Sequence, residues 1–284
     1  MKNTFKSLFL LVALSTALVA CKKEAAVEPQ QDAQLNTPVM HELGLNFLPR
    51  IDYEAIQAAQ MPEGINLKAL PVSITLTSPP VGDQGGEGSC VAWGTTYAGR
   101  STLWLKTHAG SWSQSVNIFS PEYVYNQIKA AKSCGSGAYV TTGLNLLKSK
   151  GACTWTSMPY TDVSCTLLPT AAQNTEAAKY KISGYSTVAI TTDAIKAQLY
   201  AGNPVIVGGS VNMAFEYLAN NAVLGAFKKP SLGGHCYCVV GYDDAKSAFK
   251  FQNSWGTSWA SAGFGWISYA NIKSWWTEAY VMAN

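Results

Sequence analysis

Three separated segments of the chain carry side chains that could do covalent chemistry. Gln84 precedes Cys90 by six residues, and Cys90 follows a glycine-rich loop at the start of a segment that we expect to be helical. The positive end of a helix dipole and its free N–H groups stabilise a thiolate at such a position. His235 begins an apolar strand after two glycines, and Asn253 lies two residues before Trp255. A thiol, an imidazole and an amide that orients the imidazole are the groups needed for nucleophilic attack on a carbonyl.

The three segments together resemble the papain family of cysteine peptidases. The chain has Gly-Ser-Cys-Val-Ala-Trp at 88–93, Gly-His-Cys-Tyr-Cys-Val-Val-Gly-Tyr at 234–242 and Asn-Ser-Trp-Gly at 253–256, in the family's order. One cysteine and one histidine would be weak evidence, whereas three ordered motifs are specific. The resemblance covers residues from about 70 to 284. It implies an α+β fold with a helical N-terminal lobe, a C-terminal lobe like an antiparallel β-barrel, and an active site in the cleft between them.

The resemblance also implies a role for each matching residue. Cys90 would be the thiolate nucleophile, and His235 the imidazolium that protonates the leaving amine. Asn253 would orient the imidazole, and Trp255 would keep water from the hydrogen bond between them. Gln84 and the backbone N–H of Cys90 would form the oxyanion hole. The implied reaction is endopeptidase hydrolysis of protein or peptide substrates, with no cofactor.

The sequence departs from the family pattern close to the nucleophile. Position 87, where many members have a disulfide-bonded cysteine, is Glu87, and Cys134 aligns with the partner of that missing cysteine. We therefore expect Cys134 to be free or to pair elsewhere. The glycine-containing stretch after Cys134 is where the family binds the substrate backbone as an added strand, and Gly137 is the best match for that role.

The remaining cysteines have other expected states. Cys153 and Cys165 flank a short loop, and we expect them to form a disulfide. Cys236 and Cys238 alternate away from His235 on one strand, so we expect buried, inert thiols that do not bridge each other. We expect no metal site at His235 and Cys238, because residues i and i+3 of a strand point to opposite faces.

Two other functions stay open. One is a catalytically silent surface lipoprotein that uses the fold to bind peptide or carbohydrate, although an intact set of Gln84, Cys90, His235 and Asn253 argues against it. The other is an acyl transferase with the same nucleophile. Covalent labelling of Cys90 by a peptide epoxide would exclude the silent binder, and ammonia release with amine incorporation would indicate the transferase.

Periodicity predicts the elements that must position these residues. The segments before residue 203 read as helices and the later segments as short strands separated by turns, which favours an α+β arrangement. The predicted helices are 90–108, 121–132, 139–150 and 192–202, and the predicted strands are 204–207, 236–240, 248–252, 264–269 and 279–282.

Composition excludes several classes of protein. The chain has 284 residues, of which 48% are hydrophobic and 13% charged, so it is neither a disordered chain nor a collagen-like repeat. Its formal net charge is +3 and it contains only two arginines, which makes nucleic acid a poor candidate partner.

The N-terminus is typical of a processed secretion signal. Lys2 and Lys6 precede an apolar run at 8–19 that is too short to span a bilayer. The run ends in Leu-Val-Ala-Cys at 18–21, which resembles a bacterial lipobox, so Cys21 would be lipidated and begin the mature chain. Ordinary cleavage before Cys21 is the alternative, but it would place a leucine where a small residue is preferred.

These patterns divide the chain into three parts. We expect a lipoprotein signal peptide at 1–20, a lipidated tether or short pro-segment at 21–66, and a papain-like peptidase domain at 67–284. The protein would be held by its lipid alone in the bacterial cell envelope outside the cytoplasm, with the outer membrane as the expected site.

The expected tether carries prolines that interrupt any long helix, and it is near the lower length limit for independent folding. We therefore expect residues 22–62 to impose no zymogen block. At most, the apolar stretch 43–51 would pack against the domain outside the cleft.

Replacing Cys21 tests the lipid anchor. Cys21→Ala should move the protein into the soluble fraction or stall its processing, because the lipid is the expected anchor. Fractionation with intact-mass measurement checks this, and Ser15→Ala, which leaves the lipobox unchanged, should stay in the membrane. A Cys21→Ala protein that still partitions fully into detergent with a lipidated mass would contradict the assignment.

Overall fold

The computed structural model describes residues 40–284. Most helices precede most strands, which confirms the α+β class expected from the sequence. The helices are α1 (Arg50–Glu54), α2 (Cys90–Ala92), α3 (Ser101–Thr107), α4 (Pro121–Ile128), α5 (Val140–Ser149), α6 (Ala171–Ala177), α7 (Thr192–Tyr200), α8 (Met213–Glu216) and α9 (Ile272–Trp275). The strands are β1 (Ser73–Thr75), β2 (Gly184–Thr187), β3 (Val205–Val211), β4 (Val223–Leu224), β5 (Gly233–Asp243), β6 (Ala248–Gln252), β7 (Phe264–Ser268) and β8 (Trp276–Ala283).

The central helix runs from residue 90 to residue 107. It starts as α2, continues through the π-helical stretch Trp93–Arg100 and ends as α3, which confirms the helix predicted at 90–108. Gly94 allows the helix to pack closely on β5, because a Cβ atom there would lie 2.9 Å from Cys236 Sγ. This close packing fixes the height of Cys90, the first helical residue, relative to the sheet.

The other predicted helices are also present. In α4, Ser120 Oγ accepts a hydrogen bond from the Tyr123 N–H and Pro121 occupies the first turn, as the pattern predicts, although the helix ends at Ile128. Helix α5 lies within the predicted range, and α7 is capped by Thr191.

The sheet has the strand order β2-β8-β3-β5-β6-β7-β4, and β1 pairs with β5. Its pairs are antiparallel except that of β4 with β7. Within residues 40–284 the two ends of this order do not pair, so the sheet is open and the expected barrel-like lobe is wrong. Closure depends on tilt and stagger across all strands, which the alternation within each strand does not encode.

The sheet brings the second and third motifs together. Strand β5 carries His235 and lies between β3 and β6, with Cys238 opposite Gln252, the last residue of β6. Because β6 runs antiparallel to β5, the residues that follow β6 lie beside the start of β5, where His235 is located. Asn253 is thereby placed beside an imidazole that lies 18 residues away in sequence.

Alternation along β5 separates its cysteines from the histidine. Cys236 belongs to the apolar cluster between helices and sheet, whereas Tyr237 belongs to the cluster on the opposite face. Cys236 and Cys238 are fully buried free thiols, and burial raises the pKa of both. The prediction that they are buried and face away from His235 is confirmed.

The disulfide joins Cys134 to Cys165, and Cys153 is a free thiol. The predicted Cys153–Cys165 bridge is therefore wrong. Cys153 is fully buried in the cluster on the helix side, where its carbonyl accepts from the Ser120 N–H at 2.9 Å. Cys134 and Cys165 are 31 residues apart in sequence, yet their Cα atoms are 5.5 Å apart. The short sequence separation of Cys153 and Cys165 led to the wrong prediction, because the fold and not the spacing along the chain sets the distance between two sulfur atoms.

Residues 40–66 belong to the same compact unit as the rest of the described chain. Tyr53 of α1 is buried, and its hydroxyl donates to the carbonyl of Ala279 at 3.2 Å. The Ala59 N–H donates to the carbonyl of Thr187 at 2.7 Å. The interpretation of residues 22–62 as a tether is therefore wrong from Met40 onward.

None of the helices in the described part of the chain has both the length and the hydrophobicity to cross a membrane. The expected signal peptide and the expected lipidation site, Cys21, lie outside the described residues.

Candidate active site

Cys90 lies fully buried at the start of the central helix. Burial raises the pKa of its thiol to about 11, while the backbone N–H groups of Cys236 and Gly44 act in the opposite direction. These N–H groups, together with those of Val91 and Cys90 at the helix start, favour the thiolate, but exclusion of water outweighs them in this state. The thiol is neutral at physiological pH.

His235 is held by Asn253. Its Nε2 lies 2.7 Å from Asn253 Oδ1, and both residues are buried. Because a carbonyl oxygen can only accept, Nε2 carries the proton and Nδ1 keeps its lone pair. Nδ1 is buried and has no hydrogen-bond partner among residues 40–284. The Asn253 amide thus fixes the tautomer of His235 in which Nδ1 can act as a base.

Burial lowers the pKa of His235 to about 4, although the hydrogen bond to Asn253 raises it and the charge of His41 lowers it further. Trp255 lies over the imidazole with the ring centroids 4.6 Å apart. The indole is itself buried, so it separates the hydrogen bond between His235 and Asn253 from water.

Gln84 is fixed from several sides. Its Oε1 accepts from Ser254 Oγ at 2.7 Å, and its Nε2 donates to the carbonyls of Glu87 at 2.9 Å and Glu42 at 3.0 Å. The side-chain amide expected to bind an oxyanion is therefore already bound to a carbonyl oxygen from the N-terminal part of the same chain.

Residues 41–48, here called the covering segment, lie extended in the cleft. The Leu45 N–H donates to the carbonyl of Gly234 at 3.1 Å on one wall. On the other wall, Ala138 accepts from the Asn46 N–H at 2.9 Å and donates to the Gly44 carbonyl at 2.8 Å. Gly137, expected to bind substrate backbone, lines the same wall, and the two hydrogen bonds come from its neighbour Ala138.

The fit is tight enough to require glycine at several points. A Cβ atom on Gly44 would lie 1.8 Å from the carbonyl oxygen of Gly88, and one on Gly137 would lie 2.4 Å from the Gly44 carbonyl oxygen. The expectation that residues 43–51 stay outside the cleft is therefore wrong. An extended strand fills a groove through backbone hydrogen bonds, and needs no helical core of its own.

Two buried carboxylates hold the ends of the covering segment. Glu216 Oε1 accepts from His41 Nδ1 at 2.6 Å, and Glu278 Oε1 accepts from the Leu48 N–H at 2.9 Å. Burial raises the pKa of Glu278. Neither glutamate belongs to a motif, and sequence reasoning missed both. The only available signal was a charged residue inside the otherwise apolar run of β8, which contains Glu278.

Potential metal ligands converge at one place in residues 40–284, where Glu87 stands beside Cys134 and Cys165. Both sulfurs are joined in the disulfide and offer no thiolate. Burial and the nearby carboxylate of Glu122 raise the pKa of Glu87 to about 7.

Comparison with known proteins agrees with this geometry. The model of the family described as papain family cysteine protease matches residues 72–282. The chain belongs to the papain family of cysteine proteases. The matched range contains the motifs around Cys90, His235 and Asn253, and it begins after the covering segment.

Individual relatives support the same membership in the papain family. Gamete and mating-type specific protein A of Dictyostelium discoideum is 30% identical over 202 residues, which are 71% of this chain and 43% of that protein. Cathepsin B-like CP2 of Giardia intestinalis is 27% identical over 196 residues, covering 66% of this chain and 63% of that protein. The chain thus spans less than two thirds of the length of these relatives.

Solved structures confirm the papain-like fold. Xylellain, a cysteine protease from Xylella fastidiosa, matches with a TM-score of 0.74 and 25% identity, over 86% of this chain and 97% of that one. Procathepsin B from Trypanosoma congolense matches in fold with a TM-score of 0.68 and 16% identity, over 85% and 87% of the two chains.

A methyl group at position 44 should expel the covering segment. In Gly44→Ala the added carbon meets the Gly88 carbonyl at 1.8 Å. Overpacking of this kind costs about 1–3 kcal/mol, so the uncovered population should rise by roughly 5-fold to 150-fold. The measurement is the rate of Cys90 alkylation by iodoacetamide at pH 7, followed by peptide mass mapping.

Gly110→Ala is the matched control, since an added Cβ there meets nothing within 4 Å. Its Cys90 should react at the parent rate. Equal rates in Gly44→Ala and the parent protein would show that the segment does not limit access.

Proposed function

We propose that the protein is a cysteine endopeptidase with Cys90 as its nucleophile, held latent by its own covering segment. The observation that carries the proposal is an extended peptide that lies across Cys90 with the Glu42 carbonyl on Gln84 Nε2. A groove that accommodates chain on both sides of the nucleophile suits attack on an internal bond of a polypeptide.

The arrangement around His235 supports thiolate–imidazolium chemistry once the cleft opens. Because Nε2 already donates to Asn253, Nδ1 is the atom available to take the thiol proton. The thiolate adds to the substrate carbonyl, and the imidazolium then protonates the leaving amine. A water molecule, deprotonated by the same imidazole, hydrolyses the resulting thioester and restores the thiol.

Gln84 supports the same reaction from the opposite side. Its amide is oriented by Ser254 and by the Glu87 carbonyl, so binding an oxyanion requires little rearrangement. The backbone N–H of Cys90 would be the second donor. Fixed donors of this kind act where negative charge develops on the carbonyl oxygen.

The covering segment blocks the site without offering a productive bond. The leaving amine must receive its proton from His235, so the C-terminal part of a substrate lies on the side of Trp255, the residue stacked on that imidazole. In the covering segment the part stacked on Trp255 is its N-terminal residue, His41. The segment therefore runs opposite to a productive substrate and is poorly placed for cleavage.

Desolvation adds to the block. With the segment in place, the pKa of Cys90 is about 11 and that of His235 is about 4, so both groups are neutral near pH 7. Removing the segment readmits water, which favours the charged pair over the neutral one. Displacement of residues 41–48 is thus the activating step.

We further propose that the enzyme is anchored by lipid at Cys21 on the outer side of the bacterial cytoplasmic membrane or at the outer membrane. The proposal rests on the apolar run at 8–19 and the lipobox-like residues 18–21.

Removal of the nucleophile tests the proposed reaction. In the full chain carrying Gly44→Ala, Cys90→Ala should abolish peptide hydrolysis. Gln84→Ala should lower kcat about 10²–10³-fold, the usual cost of one lost oxyanion donor. Gln114→Ala, at an exposed glutamine outside the cleft, serves as the control and should retain kcat. Undiminished hydrolysis by the Cys90→Ala chain would rule out the proposed nucleophile.

Acid should open the cleft. Burial in the covered state lowers the pKa of His235 to about 4. The uncovered state therefore binds the proton more readily, and the covered state loses stability as pH falls from about 6.5 towards 4, by up to roughly tenfold per unit. The lag before hydrolysis by the parent chain should be shorter at pH 5 than at pH 7.

His41→Gln is the control for this experiment, because it removes the other imidazole near the site. Its lag should be shorter at every pH, because the contacts with Glu216 and Trp255 are lost, and it should still shorten further with acid. A lag independent of pH in both chains would contradict the assignment of the effect to His235.

A further inference from the structure

The carboxylate of Glu216 is buried and satisfied by the covering segment alone. Its side chain is 3% exposed. Within residues 40–284 its oxygens accept hydrogen bonds only from His41, from Nδ1 at 2.6 Å and from the backbone N–H at 3.3 Å. No lysine or arginine of that range pairs with it. When the segment leaves, a buried anion faces the cleft without a partner, which is an unfavourable state.

His41 shows what kind of group this place accepts. Its ring lies on Trp255 with centroids 4.3 Å apart and an interplanar angle of 3°. The same ring donates to Glu216. His41 therefore occupies a site made of the flat indole of Trp255 with the Glu216 carboxylate at its edge. A planar group that both stacks and donates hydrogen bonds fits this pair, and a guanidinium does so best because it also brings positive charge.

The turn that carries Glu216 is fixed to the site. Asn212 Oδ1 caps α8 by accepting from the N–H groups of Ala214 and Phe215. Trp259 Nε1 donates to the carbonyls of Phe215 and Glu216 at 3.2 and 3.1 Å. The carboxylate is therefore a preorganised part of the cleft that remains after the segment leaves.

The position of this pair defines the substrate residue that would meet it. Trp255 stacks on His235, which protonates the leaving amine, so the pair lies on the leaving-group side. His41 precedes Glu42, the residue whose carbonyl occupies Gln84 Nε2. In a substrate, the carbonyl that binds Gln84 belongs to the residue before the scissile bond. The adjacent residue on the Trp255 side, where His41 lies in the covering segment, is therefore the first residue after the scissile bond.

We propose that Glu216 and Trp255 form a subsite that selects a cationic side chain, arginine above all, at the first residue after the scissile bond. This inference rests on the proposed peptidase function and adds a substrate class to it. The covering segment fills the subsite with His41 and so hides the preference until it is displaced.

The test uses the full chain with Gly44→Ala and two peptides that differ only in having Arg or Gln after the scissile bond. The Arg peptide should be hydrolysed with kcat/KM at least about tenfold higher, the usual scale for a charge-assisted hydrogen bond. Glu216→Gln should reduce the ratio of the two values to near one, and Glu216→Asp should retain part of it. Glu63→Gln, at an exposed carboxylate, should leave the ratio unchanged.

Binding separates failure of this inference from failure of the proposed function. In the full chain with Cys90→Ala and Gly44→Ala, calorimetry should show the Arg peptide binding about tenfold more tightly than the Gln peptide. Hydrolysis of both peptides at equal kcat/KM, with no effect of Glu216→Gln, would overturn the subsite and leave the peptidase intact. Arg-dependent binding without any hydrolysis would support the subsite and overturn the peptidase.

Discussion

The active-site geometry depends on the close packing of the central helix, residues 90–107, against strand β5. Gly94 faces Cys236 at a distance that no larger residue allows without displacement, since an added Cβ would lie 2.9 Å from Cys236 Sγ. The helix start and the start of β5 are therefore held at the same edge of the molecule, and Cys90 and His235 belong to those two ends. A shift of one helical turn would move Cys90 by about 5.4 Å relative to β5.

The same packing makes the site sensitive to water. Cys90 and His235 are both fully buried, and burial moves their pKa values apart, to about 11 and about 4. In this buried state the thiol of Cys90 and the imidazole of His235 are both electrically neutral. The two groups are thus uncharged in the covered state, and the chemistry proposed for them depends on whether residues 41–48 or solvent fills the cleft. Position and ionisation are controlled by different parts of the chain.

The covering segment combines nonspecific and specific contacts. Backbone hydrogen bonds to Gly234 and Ala138 would be available to any extended chain, which is also how a substrate would bind. The end contacts are different, because Glu216 and Glu278 are buried carboxylates that need partners. Departure of the segment leaves both without those partners. In the proposed mechanism their burial contributes to latency in the covered state and to recognition in the open one.

The sequence by itself predicted the family and part of the local structure. The helix at 90–107 and strand β6 could be predicted because turns, caps and periodicity are local properties. Cys90, His235 and Asn253 could be singled out because their motifs match those of the papain family. Tertiary structure alone decided the disulfide partner of Cys165, the open edge of the sheet and the path of residues 41–48. The hydrogen bond of His41 with Glu216 joins residues 175 positions apart. Such contacts are set by packing across the whole domain, and no spacing within a segment encodes them.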